Sequence, residues 1–281
     1  MRTYWWILGG GVVLASLLKA SPPQEIKDMR EDIAARVVAY VAHGESAGKF
    51  WAQNRNTDGQ GLSFGLLQWS QRSGSLGQLV RGMFEADPDE FDAVFNVDSQ
   101  AMIAHLTSQD EADRMLLPLW QEPWTARFRR AGQVATFQEV QARMALTGAS
   151  WKGALGIADL FGAHTERALV LFYDRANHHG AAGARKYAER LYDELTAQGD
   201  VEIDVPELLA AYARACAAPH RRSTAPAERT TSSGKTWRQV GDEWHLFAGN
   251  ADLYAIIVRR TGEILNDPAL RDTEIAREAL T

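Results

Sequence analysis

Gly44-Glu45-Ser46, then Trp51, then Asn56-Thr57-Asp58-Gly59-Gln60-Gly61-Leu62-Ser63-Phe64-Gly65-Leu66-Leu67-Gln68-Trp69 is the stretch on which this chain's fold and chemistry turn. Gly59 to Trp69, with glycines spaced among small polar residues, predicts turn and strand. The chain before it has a different period. From Glu25 to His43 the apolar residues Ile26, Met29, Ile33, Val37, Tyr40 and Val41 fall at helical spacing, which predicts an amphipathic helix closing at Gly44. One carboxylate, Glu45, therefore stands at a helix end. A second, Asp58, opens a glycine-rich turn thirteen residues later.

Two carboxyl groups flanking a glycosidic bond can cleave it, one protonated to release the leaving oxygen and one ionised to activate water or attack carbon. A helix-end Glu packed against apolar neighbours suits the acid, because burial disfavours its charged form, and an Asp among turn amides suits the ionised partner. Each residue also has an ordinary structural reading, since Asp-Gly-x-Gly is a common turn fragment and a Glu at a helix end is common surface chemistry. A calcium loop counted from Asp58 fails, because its third, fifth and twelfth positions are Gln60, Leu62 and Trp69. Gly61-Leu62-Ser63-Phe64-Gly65 has the form of a nucleophile elbow, but the strand-helix-strand context of that motif is missing from a helix-rich sequence.

The spacing of Glu45 to Asp58, the turn Asp58-Gly59-Gln60-Gly61-Leu62-Ser63 and the following Gly65 resemble the chitosanase family of lysozyme-like glycoside hydrolases. In that family a Glu ends a helix and an Asp opens an Asp-Gly-Arg-Gly-Tyr-Thr turn. A second match lies downstream, where ALVLFYDRANHHG from Ala168 to Gly180 is similar to the family's Tyr-Tyr-Asp helix ending in His-Gly, aligning Tyr173, Asp174, His179 and Gly180. The resemblance implies a mainly α, lysozyme-like α+β fold with a small β element near the active-site turn. It implies Glu45 as general acid, Asp58 as general base and Ser63 in place of a Thr hydroxyl that helps position water. It also implies an inverting mechanism, with carboxyls about 6.5–9.5 Å apart to admit that water. Tyr173, Asp174 and His179 are then structural supports on a buried helix, and a buried Asp174 needs a cationic or hydrogen-bonding partner. Gln60 departs from the family's Arg.

Trp51, Trp69, Trp120, Trp124 and Trp151 offer rings for core packing or for stacking on sugars, and Trp51 and Trp69, with Gln60, are the candidates for substrate contact because they lie nearest the two carboxylates in sequence. His178 and His179 are adjacent, so on a helix they point about 100° apart and do not share a metal. The single cysteine, Cys216, excludes a disulfide framework and a multi-Cys zinc site. Neither metal nor cofactor is expected.

The 281 residues are 46% hydrophobic and 23% charged, enough for one substantial core with a small appendage and unlike a disordered chain. A formal charge of -6 with no long basic run argues against nucleic acid as a partner. Tyr4 to Leu18 is an uncharged run between Arg2 and Lys19 with the layout of an export signal or membrane anchor, although its fifteen residues as helix would span only about 22 Å of a roughly 30 Å hydrocarbon core. Expected segments are that signal or anchor at 1–20, a catalytic domain at 21–217, a linker or long loop at 218–236 rich in Pro, Ser and Thr, and a small C-terminal extension at 237–281. Helices are expected at about 76–86, 98–117, 136–147, 163–178, 181–198 and 204–217, and a strand at Leu253 to Val258 before a Thr261-Gly262 turn. The function that follows is a glycoside hydrolase of the cell envelope or periplasm acting on β-1,4-linked amino-sugar polymers. Peptidoglycan is favoured because of the export-like segment. Chitosan is the alternative within the enzyme class, and a catalytically silent wall-binding or structural component is the alternative outside it.

Overall fold

The computed structural model describes residues 25–197, 203–232, 234–276 and 280. The expected export signal or anchor, Tyr4 to Leu18, lies outside them. Among the described residues no helix is long and apolar enough to cross a membrane. Contacts divide the described chain into two compact units, one of residues 38–147 and one of 23–37 with 148–281. The boundaries expected at 217 and 236 do not coincide with this division: residues 237–281 group with 148–217.

Helix α1, Glu25–Ser46, contributes its last part to the first unit. It passes through Gly44, the expected end, and stops where Ala47 turns to φ 53 and bonds back to His43 O at 3.0 Å. Three short strands follow, β1 Gln53–Arg55, β2 Leu62–Phe64 and β3 Trp69–Ser70, paired antiparallel in chain order with Asn54 opposite Ser63 and Ser63 opposite Ser70. This meander is the small β element expected near the turn. Helices α2 Ser75–Ala86, α3 Pro88–Phe95, α4 Ser99–Leu106, α5 Glu111–Arg114, α6 Trp124–Ala131 and α7 Ala135–Thr147 complete the unit. The expected helix at 98–117 is in fact two, because Thr107 caps α4 and the Asp110 side chain, accepting from Ala112 N, starts α5 afresh. Helix α3 was not expected, although its start is written in the sequence as Asp87-Pro88, an N-cap followed by proline at the first position.

The core of this unit is aromatic. Phe128 packs on Phe64 and on Phe95, each with ring centroids 5.0 Å apart, so the rigid β2 strand is held by helices α3 and α6. Gly77 of α2 meets the end of α4 so closely that an added Cβ would stand 2.0 Å from Leu106 O.

The second unit contains α8 Ala149–Phe161, α9 Glu166–His179, α10 Ala181–Thr196 and α11 Val205–Ala217, then strands β4 Arg221–Arg222, β5 Thr236–Val240, β6 Glu243–Ala248 and β7 Ala251–Asp252, and finally α12 Leu253–Asn266. Helices α8, α9 and α10 pack against one another, with Trp151 of α8 edge-on to Tyr173 of α9 at 5.8 Å, and α11 joins them through Tyr212, edge-on to Phe172 at 5.3 Å. The second sheet has the order β4-β6-β5, with β7 also paired to β6. The loop expected as a linker is tied to this sheet at both ends, by β4 and by Trp237 N donating to Arg229 O at 2.7 Å. The strand expected at Leu253 to Val258 is a helix. Asp252 caps it by accepting from Ala255 N at 3.0 Å, and Ile257, Thr261 and Ile264 bury at helical spacing, which the apolar run alone conceals. The chain is thus mainly helical with small antiparallel sheets, an α+β fold.

Candidate active site

Glu45 sits in the last turn of α1, half-buried, with Oε1 shielded from solvent. Beside it the buried Ser46 hydroxyl reaches two carbonyls, Ala42 O at 3.0 Å within the helix and Leu66 O at 2.9 Å beyond β2. That second contact fastens the carboxylate-bearing helix end to the hairpin that carries Asp58.

The hairpin turn is built from side-chain amides. Asn54 Oδ1 accepts from Thr57 N at 3.1 Å and from the Thr57 hydroxyl at 2.7 Å, and its Nδ2 donates to Asp58 Oδ2 at 3.3 Å. The other carboxylate oxygen, Oδ1, accepts from Gln60 N at 3.1 Å, so the Asp58 carboxylate is oriented by donors on both sides. Asn56, at φ 64, accepts from Gly61 N at 2.8 Å, and Arg72 Nε donates to Gly59 O at 2.7 Å, which closes the loop over itself.

Two buried glutamines anchor the strands on either side. Gln71 accepts from Leu62 N at 3.1 Å and donates to Arg114 O and Leu117 O at 2.7 and 2.8 Å. Gln141, on α7 and fully buried, accepts from Leu66 N at 2.9 Å and donates to Phe50 O at 3.0 Å. Gly65 lets this happen: at φ 82 it lies so close that a Cβ would meet Gln141 Oε1 at 2.4 Å. Each glutamine uses both ends of its amide on backbone groups that the irregular chain would otherwise leave unpaired.

The sequence candidates fall as follows. Glu45, Asp58 and Ser63 belong to one unit, Ser63 being 6% exposed in the middle strand opposite Asn54. Gln60 is half-buried at the turn, its backbone carbonyl accepting from Arg72 N at 3.1 Å. Trp51 is 41% exposed and free to meet a ligand. Trp69, expected alongside it for substrate contact, is 9% exposed, opposite the buried Phe64 of β2 and with its ring against Gly65. Asn54, Asn56, Gln71 and Gln141 were not singled out. Asn54 and Asn56 carry a legible signal, turn-forming side chains within four residues of Asp58, and Gln141 shows only as a polar residue on the apolar side of α7.

Tyr173, Asp174 and His179 lie in the second unit on α9. Tyr173 is fully buried, and burial pushes its phenol above the ordinary range. Asp174 is 1% exposed and clasped by two guanidinium groups, Arg175 Nε at 2.9 Å and Arg260 Nε at 3.0 Å, each adding a second short contact through NH2. Burial alone would raise the carboxyl, but Arg175 and Arg260 outweigh it and hold Asp174 below the usual carboxylate range. His179 stacks edge-on with Tyr187 at 5.2 Å and lies 5.7 Å from His220. Among the described residues its buried Nε2 has no hydrogen-bond partner, and burial, with Arg175 nearby, pushes its imidazole down to about 2. Among the described residues no three His, Cys, Asp or Glu side chains gather to hold a metal ion.

No family model and no curated relative matches the sequence. The fold does match. A solved structure of a glycoside hydrolase family 46 chitosanase from Gynuella sunshinyii, in complex with chitotetraose, superposes with a TM-score of 0.50 at 16% identity, covering 78% of each chain. The chain therefore has a chitosanase-like α+β fold.

Proposed function

We propose that this protein is a glycoside hydrolase of β-1,4-linked amino-sugar polymers, with peptidoglycan as substrate, Glu45 as general acid and Asp58 as general base. The observation that carries this reading is the Ser46 Oγ to Leu66 O bond of 2.9 Å, which ties the helix end holding Glu45 to the hairpin holding an oriented Asp58, in a chain of chitosanase-like fold. Ser63 positions water and Trp51 offers a ring face to a sugar. Inversion follows if Asp58 activates water rather than attacking carbon. Export through Tyr4 to Leu18 brings the enzyme to its polymer. Chitosan is the second reading, because the superposable chitosanase holds chitotetraose.

Reducing-end release from purified peptidoglycan and from chitosan tests both readings. Glu45→Gln removes the proton donor and Asp58→Asn the base, and each lowers turnover by about 10²–10⁴-fold. Wild-type activity in both variants would end the hydrolase reading. A covalent sugar adduct on Asp58, seen by mass spectrometry, would replace inversion with retention.

A further inference from the structure

The second sheet sorts its charges by face. Across residues 221–252 five cationic side chains, Arg221, Arg222, Arg229, Lys235 and Arg238, stand with four carboxylates, Glu228, Asp242, Glu243 and Asp252, of which Glu243 pairs with Arg221 and Asp252 with His245. The register sorts them. Arg222 lies opposite Trp244 and Trp237 opposite Leu246, so these residues share one face, while Arg221 and Arg238 flank His245 on the other.

On the first face Trp237, Trp244 and Leu246 form a small apolar cluster of their own, 7 to 8% exposed, with Leu253 packed against it. Two arginines roof it. The Arg222 guanidinium lies over the Trp237 ring and that of Arg229 over the Trp244 ring, each 4.8 Å from the centroid. Both arginines are exposed, and among the described residues neither has a carboxylate partner. The contrast is Arg221 on the opposite face, which pairs with Glu243 at 3.3 Å. A guanidinium resting on an aromatic ring spends its flat face on the ring and keeps its N–H donors for another acceptor, and the ring holds it in place beforehand. Two such groups stand over diagonal positions of adjacent strands, whose Cα atoms are about 7–8 Å apart.

We propose that this face, roofed by Arg222 over Trp237 and Arg229 over Trp244, is an accessory binding surface for a carboxylate-bearing glycan, the peptidoglycan strand with its peptide carboxylates. From the proposed function the inference takes only the identity of the polymer. Charge complementarity selects the partner: planar donors fit carboxylates bidentately, and a polycation such as chitosan is repelled by the same groups. The surface holds the protein on the wall irrespective of cleavage.

Cosedimentation with insoluble peptidoglycan stripped of phosphate polymers tests this, carried out with the Glu45→Gln chain so that the polymer stays intact. Arg222→Gln with Arg229→Gln lowers retention about tenfold or more, while in the chain with Glu45 intact the same pair leaves turnover of a short soluble oligosaccharide unchanged. Amidating the peptidoglycan carboxylates, or raising salt to about 0.3 M, releases the unsubstituted sheet to the same extent, which needs no folding of a variant. Chitosan beads retain no more of the arginine-bearing chain than of the double variant. Equal retention of the double variant on peptidoglycan, or undiminished binding to the amidated polymer, overturns the proposal. Loss of hydrolysis alone leaves it standing, and so separates its failure from that of the hydrolase reading.

Discussion

Replacing Gln141 with Met keeps the volume and the helix but removes both ends of the amide that joins α7 to the candidate site. Two backbone groups lose their partners, Leu66 N, now bonded at 2.9 Å, and Phe50 O, at 3.0 Å. Gln141 is fully buried, so water does not replace it. Each orphaned buried group costs roughly 1–3 kcal/mol, and the pair about 2–6 kcal/mol. For a chain of this size that lowers the melting temperature by roughly 2–4 °C per kcal/mol. Activity should fall further than stability accounts for, since Leu66 also accepts the Ser46 hydroxyl beside Glu45. The assay is a urea titration at neutral pH paired with initial rates measured well below the midpoint. A midpoint within about 0.5 kcal/mol of the wild type, the scale of an ordinary surface substitution, would show that the bridge does not hold the hairpin.

Asp174→Ala leaves Arg175, which is fully buried, and Arg260 without their shared carboxylate, and should cost about 3–5 kcal/mol in a denaturant titration; an unchanged midpoint contradicts the clasp. Gly77→Ala places a Cβ 2.0 Å from Leu106 O, so the backbone of α2 or α4 must shift, at about 1–3 kcal/mol in the same measurement. Acid should weaken the second unit through His179, held neutral to about 2 by burial: the unfolded chain takes up the proton as pH drops below about 6.5 and the folded one does not, so stability declines from there downward. By pH 5 the loss is roughly 1–2 kcal/mol, and His179→Phe should flatten that slope; an identical slope in the variant assigns the acid sensitivity elsewhere.

What the sequence discloses and what it withholds differ by kind of interaction. The helical face of α1 and the turn at Asp58 are local patterns, written within a few residues, and they are legible. So is α10, whose expected span of 181–198 covers the observed Ala181–Thr196. The run Leu253 to Val258 misleads because six apolar or aromatic-flanked positions fit strand and helix alike, and only the cap at Asp252 and the burial of Thr261 and Ile264 a full two turns later decide it. Trp69 illustrates a non-local determinant. Nearness in sequence to Asp58 suggests a ligand-facing ring, but Trp69 stands opposite Phe64 in the strand register and so shares that residue's buried face.

The polar scaffold lies deeper still. Gln71 and Gln141 each bond backbone groups far along the chain, Gln141 reaching Phe50 across 91 positions, and a glutamine in a turn or a helix looks the same whether it faces water or a buried carbonyl. The requirement they satisfy is nevertheless physical and general. A hairpin that departs from regular strand pairing at Gly61 and Gly65 strands N–H and C=O groups inside the protein, and each must find a donor or acceptor at the cost of about 1–3 kcal/mol if it does not. Long amides supply both from one side chain without introducing a charge. A Lys or Glu at either position would reach as far, but it would carry a charge into the interior and offer only donors or only acceptors where both are needed. Glutamine at 71 and 141 is therefore the residue type that fixes the hairpin with a neutral side chain able to donate and accept at once.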